Sequence, residues 1–101
     1  MVAALVVTGS ALAASAVRPA GHADRAALIR ALVRQDGSSA GVTSTYISRS
    51  SPTLAVVCQL TPDSGKVAYV FRRSGRTWSY VTNSRSGRPK SSAQRSLEAT
   101  C

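Results

Sequence analysis

The stretch Lys66–Thr82, KVAYVFRRSGRTWSYVT, predicts a β-hairpin. Apolar residues alternate with polar or small ones on both arms, and Ser74-Gly75 can supply the positive φ that a tight turn between twisted strands requires. This turn would pair Arg73 with Arg76, so that Phe71 lies opposite Trp78 and Tyr69 opposite Tyr80. One face of the hairpin then carries Val67, Tyr69, Phe71, Trp78 and Tyr80. Such an aromatic face requires a covering element, because it is too apolar to remain in water.

Two further strands are predicted before the hairpin. Val42–Arg49, VTSTYISR, is rich in β-branched residues and is typical of an edge strand. Thr53–Leu60, TLAVVCQL, is joined to the hairpin by the turn sequence Pro62–Gly65. Strict alternation gives this strand one apolar face made of Leu54, Val56, Cys58 and Leu60. If Thr61 pairs with Lys66, this face continues the aromatic face and Cys58 lies opposite Tyr69.

A helix is predicted on each side of the strands. Asp24–Asp36 has Asp24 as a candidate N-cap and Gly37 as a stop, with Arg30 and Arg34 on its polar side. Its apolar arc consists of Leu28, Ile29, Leu32 and Val33. The alternative is a cationic amphipathic helix that lies on a membrane.

The tail of the chain predicts a loop followed by a short helix. Asn83–Lys90, NSRSGRPK, is polar and contains glycine and proline. Ser91-x-x-Gln94 matches a capping box, and Ala93, Leu97 and Cys101 follow at four-residue steps on one side of a helix. The predicted fold class is therefore α+β. It has an N-terminal helix packed on a three- to four-stranded antiparallel meander, a short C-terminal helix, and both helices on the aromatic face.

The first residues predict export. The stretch MVAALVVTGSALAASAV contains no charge and is followed by RPAGHA. Together the two stretches resemble a secretory signal peptide. Their apolar core is too short for a membrane span. We expect cleavage after Ala23, with cleavage after Ala16 as the alternative; the alternatives to export are an uncleaved membrane anchor and a buried N-terminal helix of a cytosolic protein. This divides the chain into a signal peptide, residues 1–23, and one small secreted domain, residues 24–101.

Export changes the interpretation of the two cysteines. Cys58 and Cys101 would stay reduced in a cytosol but would pair outside it. A bridge between them would stabilise a small domain by about 4 kcal/mol in the chain-entropy model. The alternative is a pair of buried free thiols.

Three segments carry a resemblance to a known group of proteins. The segments are YISRSSPTLAVV, the hairpin FRRSGRTW with its Gly-x-x-Trp spacing, and the terminal SLEATC. They resemble segments of small exported proteins of high-GC Gram-positive bacteria. The similarity covers Asp24 to Cys101. It implies export and the architecture described above, and it implies no activity.

Several chemistries are disfavoured by the residues that the chain contains. The one histidine, His22, lies in the segment expected to be removed, which leaves no Ser-His or Cys-His nucleophile pair. Two distant cysteines without a histidine partner do not make a zinc site, and no glycine-rich phosphate loop is present. The four carboxylates are Asp24, Asp36, Asp63 and Glu98, and no spacing among them suggests a catalytic pair. We therefore expect no enzymatic activity, no cofactor and no metal.

The charge of the chain favours an anionic partner. Thirteen basic residues against four acidic ones give a net charge of +9, which attracts polyanions. The candidate anion-binding residues are Arg72, Arg73 and Arg76 at the hairpin tip and Arg85, Arg88 and Lys90 on the following loop, expected at one end of the molecule. Trp78 could stack between these arginines, although its alternation places it on the core face.

The sequence therefore predicts a small, secreted, basic and monomeric module that binds at the cell envelope. The expected ligand is an anionic cell-wall polymer or anionic lipid, and nucleic acid is disfavoured by export. Two other functions fit the same residues: a cationic, membrane-active antibacterial polypeptide, and a secreted enzyme inhibitor that presents Arg72–Arg76 or Thr61–Gly65.

Overall fold

A five-stranded antiparallel sheet forms the centre of the molecule. The computed structural model describes residues 16–101; the predicted apolar core of the signal peptide lies almost wholly outside these residues. The elements in chain order are β1 (Val17–Pro19), α1 (His22–Asp36), β2 (Val42–Ser48), β3 (Leu54–Thr61), β4 (Gly65–Ser74), β5 (Thr77–Asn83) and α2 (Ser92–Thr100). The strands are neighbours in sequence order. The α+β class is confirmed, with five strands instead of three or four.

The additional strand is β1, which precedes α1. It pairs antiparallel with β2, with Val17 opposite Ser48 and Pro19 opposite Tyr46. The side chain of Arg49 also donates a hydrogen bond to the Val17 carbonyl over 3.3 Å. The prediction that β2 is an edge strand is therefore wrong, because β1 covers its outer backbone groups.

The β4–β5 hairpin has the predicted faces with a shifted turn. Ser74 pairs with Thr77, so the two-residue turn is Gly75-Arg76, and Gly75 has a φ of 62°. Glycine at the first central position suits a turn that matches the strand twist. Phe71 consequently lies opposite Tyr80, not Trp78. The shift is an even number of residues, so the aromatic side chains stay on one face as predicted.

The β3–β4 pairing differs from the prediction by one residue. Thr61 pairs with Gly65, not Lys66, because the connecting loop has three residues. The Thr61 hydroxyl holds this loop: it donates to the Gly65 carbonyl over 2.9 Å and accepts the Ser64 N–H over 3.1 Å. A slip of one residue turns every side chain of a strand to the other face. Cys58 therefore lies opposite Ala68, away from the aromatic rings.

This register produces two cores, one on each side of the sheet. On the aromatic side, α1 contributes Leu28 and Leu32, both fully buried in one cluster with Phe71 and Trp78. On the other side, α2 contributes Leu97 to an aliphatic cluster completed by Leu54, Val56, Cys58, Ala68 and Val70. The prediction for α1 is confirmed, whereas the prediction that α2 shares its face is wrong. The domain has three layers: helix, sheet, helix.

The ends of the helices follow the predicted signals in part. Gly37 ends α1 in the left-handed conformation, and its N–H donates to the Val33 carbonyl over 2.8 Å. The N-cap is Gly21, since α1 begins two residues before Asp24. The buried face of α1 is Leu28, Ala31 and Leu32, and Val33 is 40% exposed.

The C-terminal helix is fastened at both ends. The Ser91 hydroxyl accepts the Gln94 N–H over 3.1 Å, which confirms Ser91 as the N-cap. The Gln94 side chain donates to Glu98 instead of returning to Ser91, so the capping box is half formed. The predicted disulfide between Cys58 and Cys101 is confirmed, with their Cα atoms 5.4 Å apart. Neither helix of residues 16–101 has the length and apolar content needed to cross a membrane.

Candidate functional site

The six predicted anion-binding residues lie in two groups. Arg72, Arg73 and Arg76 surround the β4–β5 turn, whereas Arg85, Arg88 and Lys90 follow the other end of β5. β5 has seven residues, which separates its ends by about 20 Å at ~3.3 Å per residue. The expectation that all six share one end is therefore wrong, because the chain leaves the sheet at the end opposite the turn.

The arginines at the tip do not share one face, because the neighbouring residues Arg72 and Arg73 alternate along β4. Arg72 pairs with Ser79 and is exposed. Arg73 is half-buried, and its guanidinium carbon lies 5.5 Å from the centre of the Trp78 ring. This is a cation–π contact, and it holds Arg73 on the side of the sheet that α1 covers. Only part of the tip cluster therefore faces a common surface.

A groove with a basic lining runs between α1 and the start of β5. It consists of two adjoining depressions of about 280 and 300 Å³, which share Arg34, Thr77 and Trp78. Arg30 from α1 and Arg76 from the turn complete the second depression. The side chains of Arg30, Arg34 and Arg76 are exposed, and none of the described residues that line the two depressions is acidic. We call these two depressions, with Arg30, Arg34 and Arg76 in their lining, the arginine groove.

Two of its residues were not nominated from the sequence. Arg30 and Arg34 are four residues apart, which places them on one ridge of α1 and by itself predicts only the polar side of an amphipathic helix. That spacing is the available signal. Which strand the ridge adjoins is decided by how α1 crosses the sheet, and α1 contacts β5 more than any other strand.

Trp78 forms the floor of the groove and is not a binding platform. Its side chain is 3% exposed and belongs to the core beneath α1. A ring that is buried in this way cannot stack on a base or sugar. Its contribution is to fix Arg73 and the start of β5 in position.

The second basic group has different surroundings. The Arg85 guanidinium donates to the Ser64 hydroxyl over 2.6 Å, and the Arg85 N–H donates to the Asn83 side chain over 2.9 Å. Arg85 is thereby tied to the β3–β4 loop, beside a third cavity. Arg88 and Lys90 are exposed on the loop that leads to α2.

The remaining reactive side chains do not gather at a site. His22 is the exposed first residue of α1, and both cysteines are consumed in the disulfide. Within residues 16–101, no three side chains of His, Cys, Asp or Glu are grouped as a metal site would require. The arginine groove is thus the principal candidate, and comparison adds no precedent for it: no protein-family model, no curated protein and no solved structure matches the chain.

Proposed function

We propose that this protein is an exported binding module that holds an acidic cell-wall polymer in the arginine groove. The observation that carries the proposal is that Arg30 and Arg34 from α1 and Arg76 from the hairpin turn line one depression, with no acidic residue of residues 16–101 in its lining. Arg73 adds a positive charge near the floor of the groove, with its guanidinium carbon 5.5 Å from the centre of the Trp78 ring. Guanidinium groups form bidentate hydrogen bonds with phosphate and carboxylate, which are the charged groups of such polymers.

The net charge of the chain supports the same partner. A charge of +9 raises the local concentration of any polyanion and speeds encounter. A groove adds what net charge lacks, namely a fixed arrangement of donors. An extended polymer can lie along α1 and contact several arginines together, so weak individual contacts sum.

Export rests on the apolar leader, and the disulfide is compatible with it. We propose that the mature chain begins at Val17, after the alternative cut, because cleavage after Ala23 would remove β1 and the first two residues of α1. The loss of β1 would also leave β2 as an open edge. The intact mass of the protein from culture medium tests the cut site and the disulfide. The expected mass is that of a chain that starts at Val17, less two hydrogen atoms for the disulfide. A mass that begins at Asp24, or recovery only from the cytosol, would contradict them.

Binding is tested with the oxidised mature protein and three polyanions. We expect saturable binding to wall fragments that carry acidic polymer, weaker binding to anionic vesicles and to duplex DNA, and a decrease in affinity as salt rises. Absence of binding to wall fragments at low ionic strength would overturn the proposal. Equal affinity for all three polyanions would show that net charge alone is responsible.

A charge-matched pair of variants locates the site. The groove variant loses three charges from the arginine groove through Arg30→Gln, Arg34→Gln and Arg76→Gln combined. The loop variant loses three charges from the other end of the molecule through Arg85→Gln, Arg88→Gln and Lys90→Gln combined. The groove variant is expected to lose about tenfold in affinity, at roughly 0.5 kcal/mol for each of its three exposed contacts. The loop variant should lose little. Equal losses would contradict a binding role for the groove.

Burial of α1 argues against the membrane-active alternative. That function needs the apolar side of α1 in a bilayer, but Leu28 and Leu32 are fully buried against the sheet. We therefore expect the folded, oxidised protein to release no dye from anionic vesicles. Rapid release would favour the membrane-active function over the binding module.

A further inference from the structure

The connection between β5 and α2 is exposed and is only partly held by hydrogen bonds. It consists of residues 84–91, all of which are exposed except the half-buried Pro89. The first three residues donate backbone hydrogen bonds to Ala68 and Asn83. No backbone hydrogen bond joins residues 87–90 to any other part of residues 16–101. Exposed polar segments of this kind are the preferred sites of proteolytic cleavage.

Most basic residues of the chain are protected from proteolysis by the structure around them. A protease with an acidic specificity pocket selects lysine or arginine before the bond that it cleaves. Arg76 occupies the tight turn of the hairpin, and Arg49 donates hydrogen bonds to the Ala16 and Val17 carbonyls. Eight others lie in helices or strands: Arg18, Arg25, Arg30, Arg34, Lys66, Arg72, Arg73 and Arg95. The three that remain are all in the connection between β5 and α2.

Two of these three are poor cleavage sites. Arg85 is fastened at its backbone N–H by Asn83 and at its guanidinium by Ser64. Arg88 precedes Pro89. Proline lacks an N–H and constrains the residue before it, so the bond after Arg88 is a poor substrate.

Lys90 has neither restraint. Its side chain is exposed, and no backbone hydrogen bond holds it to the rest of the described chain. The next residue, Ser91, is exposed and has an extended backbone, with φ −147° and ψ 163°. The Lys90–Ser91 bond is therefore the bond after a basic residue that a protease can reach most easily in the folded protein.

The disulfide determines what cleavage at this bond does to the fold. The chain beyond Lys90 consists of Ser91, α2 and Cys101, and Cys101 is bonded to Cys58 in β3. Leu97 is also fully buried against the sheet. Hydrolysis of Lys90–Ser91 therefore leaves α2 attached to the sheet by the disulfide and by its packing.

We propose that Lys90–Ser91 is a processing site for a protease that selects basic residues, and that its product is a disulfide-linked protein of two chains. Water adds across the peptide bond, which leaves a carboxylate on Lys90 and an ammonium group on Ser91. A dithiol reductant then releases residues 91–101: its two thiols form a disulfide, and Cys58 and Cys101 become thiols. The site follows the end of β5 opposite the hairpin turn, so the proposal does not depend on the ligand of the arginine groove.

A lysine-specific protease tests the site with a control inside the same molecule. The sequence contains two lysines, Lys66 and Lys90, and both are exposed, but Lys66 lies in β4 opposite Leu60. We expect the folded, oxidised protein to be cleaved after Lys90 at least about a hundredfold faster than after Lys66, because a loop opens locally whereas β4 opens only when the sheet unfolds. Comparable rates at the two lysines would overturn the proposal.

A protease that accepts both lysine and arginine tests the choice of Lys90. Its first cut in the folded protein should follow Lys90, and Lys90→Gln should slow the loss of intact chain at least about tenfold. Lys66→Gln removes the same charge from a strand and should leave the rate unchanged. A first cut after Arg85, after Arg88 or in the hairpin would overturn the assignment.

Mass and hydrogen exchange test the two-chain product. Without reductant, the cleaved protein should be heavier by one water and should keep slow exchange of the Leu97 amide. With reductant, the peptide of residues 91–101 should separate and this protection should be lost. Loss of α2 from the sheet before reduction would contradict the proposed product.

Discussion

The two helices are held on the sheet in different ways. α1 has fifteen residues and packs Leu28, Ala31 and Leu32 on an aromatic surface without a covalent link. α2 has nine residues and buries one large apolar side chain, Leu97, beside the Cys58–Cys101 disulfide. A helix as short as α2 is unstable by itself. Burial of Leu97 alone offsets little of the conformational entropy that is lost when α2 packs on the sheet. The difference predicts that packing is sufficient to hold α1, whereas α2 depends on the covalent bond.

The largest expected effect comes from opening that bond. Reduction of the disulfide, or Cys101→Ser, should lower the free energy of unfolding by about 4 kcal/mol and should release α2 before α1. Chemical denaturation gives the total, and hydrogen exchange resolved by residue gives the order. The matched control is Cys101→Ser with added reductant, which should show no further loss. Equal exchange in α1 and α2 after reduction would contradict the comparison.

Packing under α1 should give the next largest effect. Leu32→Ala removes a fully buried side chain and is expected to cost about 3 kcal/mol in unfolding free energy, the middle of the range for such truncations. Val33→Ala, one residue along at a position that is 40% exposed, should change stability by less than about 0.5 kcal/mol. Denaturation of the two variants measures the contrast. A comparable loss in both would mean that the buried face of α1 has been misassigned.

A smaller effect is expected at the start of α2. Ser91→Ala removes the acceptor of the Gln94 N–H and should destabilise the helix by about 1 kcal/mol. The effect should appear as faster hydrogen exchange confined to α2, because the disulfide keeps the helix near the sheet. Ser92→Ala, at the adjacent exposed position, is the control and should leave exchange unchanged.

The smallest expected effect is a pH dependence of stability that arises in the core under α1 and not in the core under α2. Tyr69 lies in the core under α1, and burial, with help from Asp36, raises the pKa of its hydroxyl above 10.0. The neutral phenol is therefore favoured in the folded state, so this contribution is fully present below pH 10.0 and is lost as pH rises through the folded pKa. Tyr69→Phe should lessen the alkaline loss of stability. An identical pH profile for the variant would contradict this role of Tyr69.

The same comparison explains which expectations failed. Alternation correctly placed the aromatic side chains of β4 and β5 on one face, because the other face carries only small or aliphatic residues there: Ala68, Val70, Ser79 and Val81. β3 lacks that contrast: residues 54–59 are all buried, so the pattern is compatible with either face. The length of the loop after Thr61 decides which face of the sheet Cys58 lies on. The predicted pairing of Thr61 with Lys66 differs from the observed one by one residue, so the prediction places Cys58, and with it α2, on the wrong side of the sheet.

The sequence also predicted only part of the candidate site. The sequence identified Arg73 and Arg76 at the hairpin tip, because they flank a glycine turn. It did not associate them with Arg30 and Arg34, which are more than thirty positions away in the chain.

The sequence by itself determined the local elements of this protein: two helices with their stop and cap at Gly37 and Ser91, the strands of the hairpin, and one possible cysteine pair. These follow from periodicity, turn chemistry and residue count, which act over a few neighbouring positions. Tertiary structure alone decided that the helices lie on opposite faces, that β1 covers β2, and that Arg30 and Arg34 of α1 line one depression with Arg76 of the hairpin. The physical reason is that register and helix placement are set by the joint burial of both faces of the sheet, and distant segments contribute to that burial together.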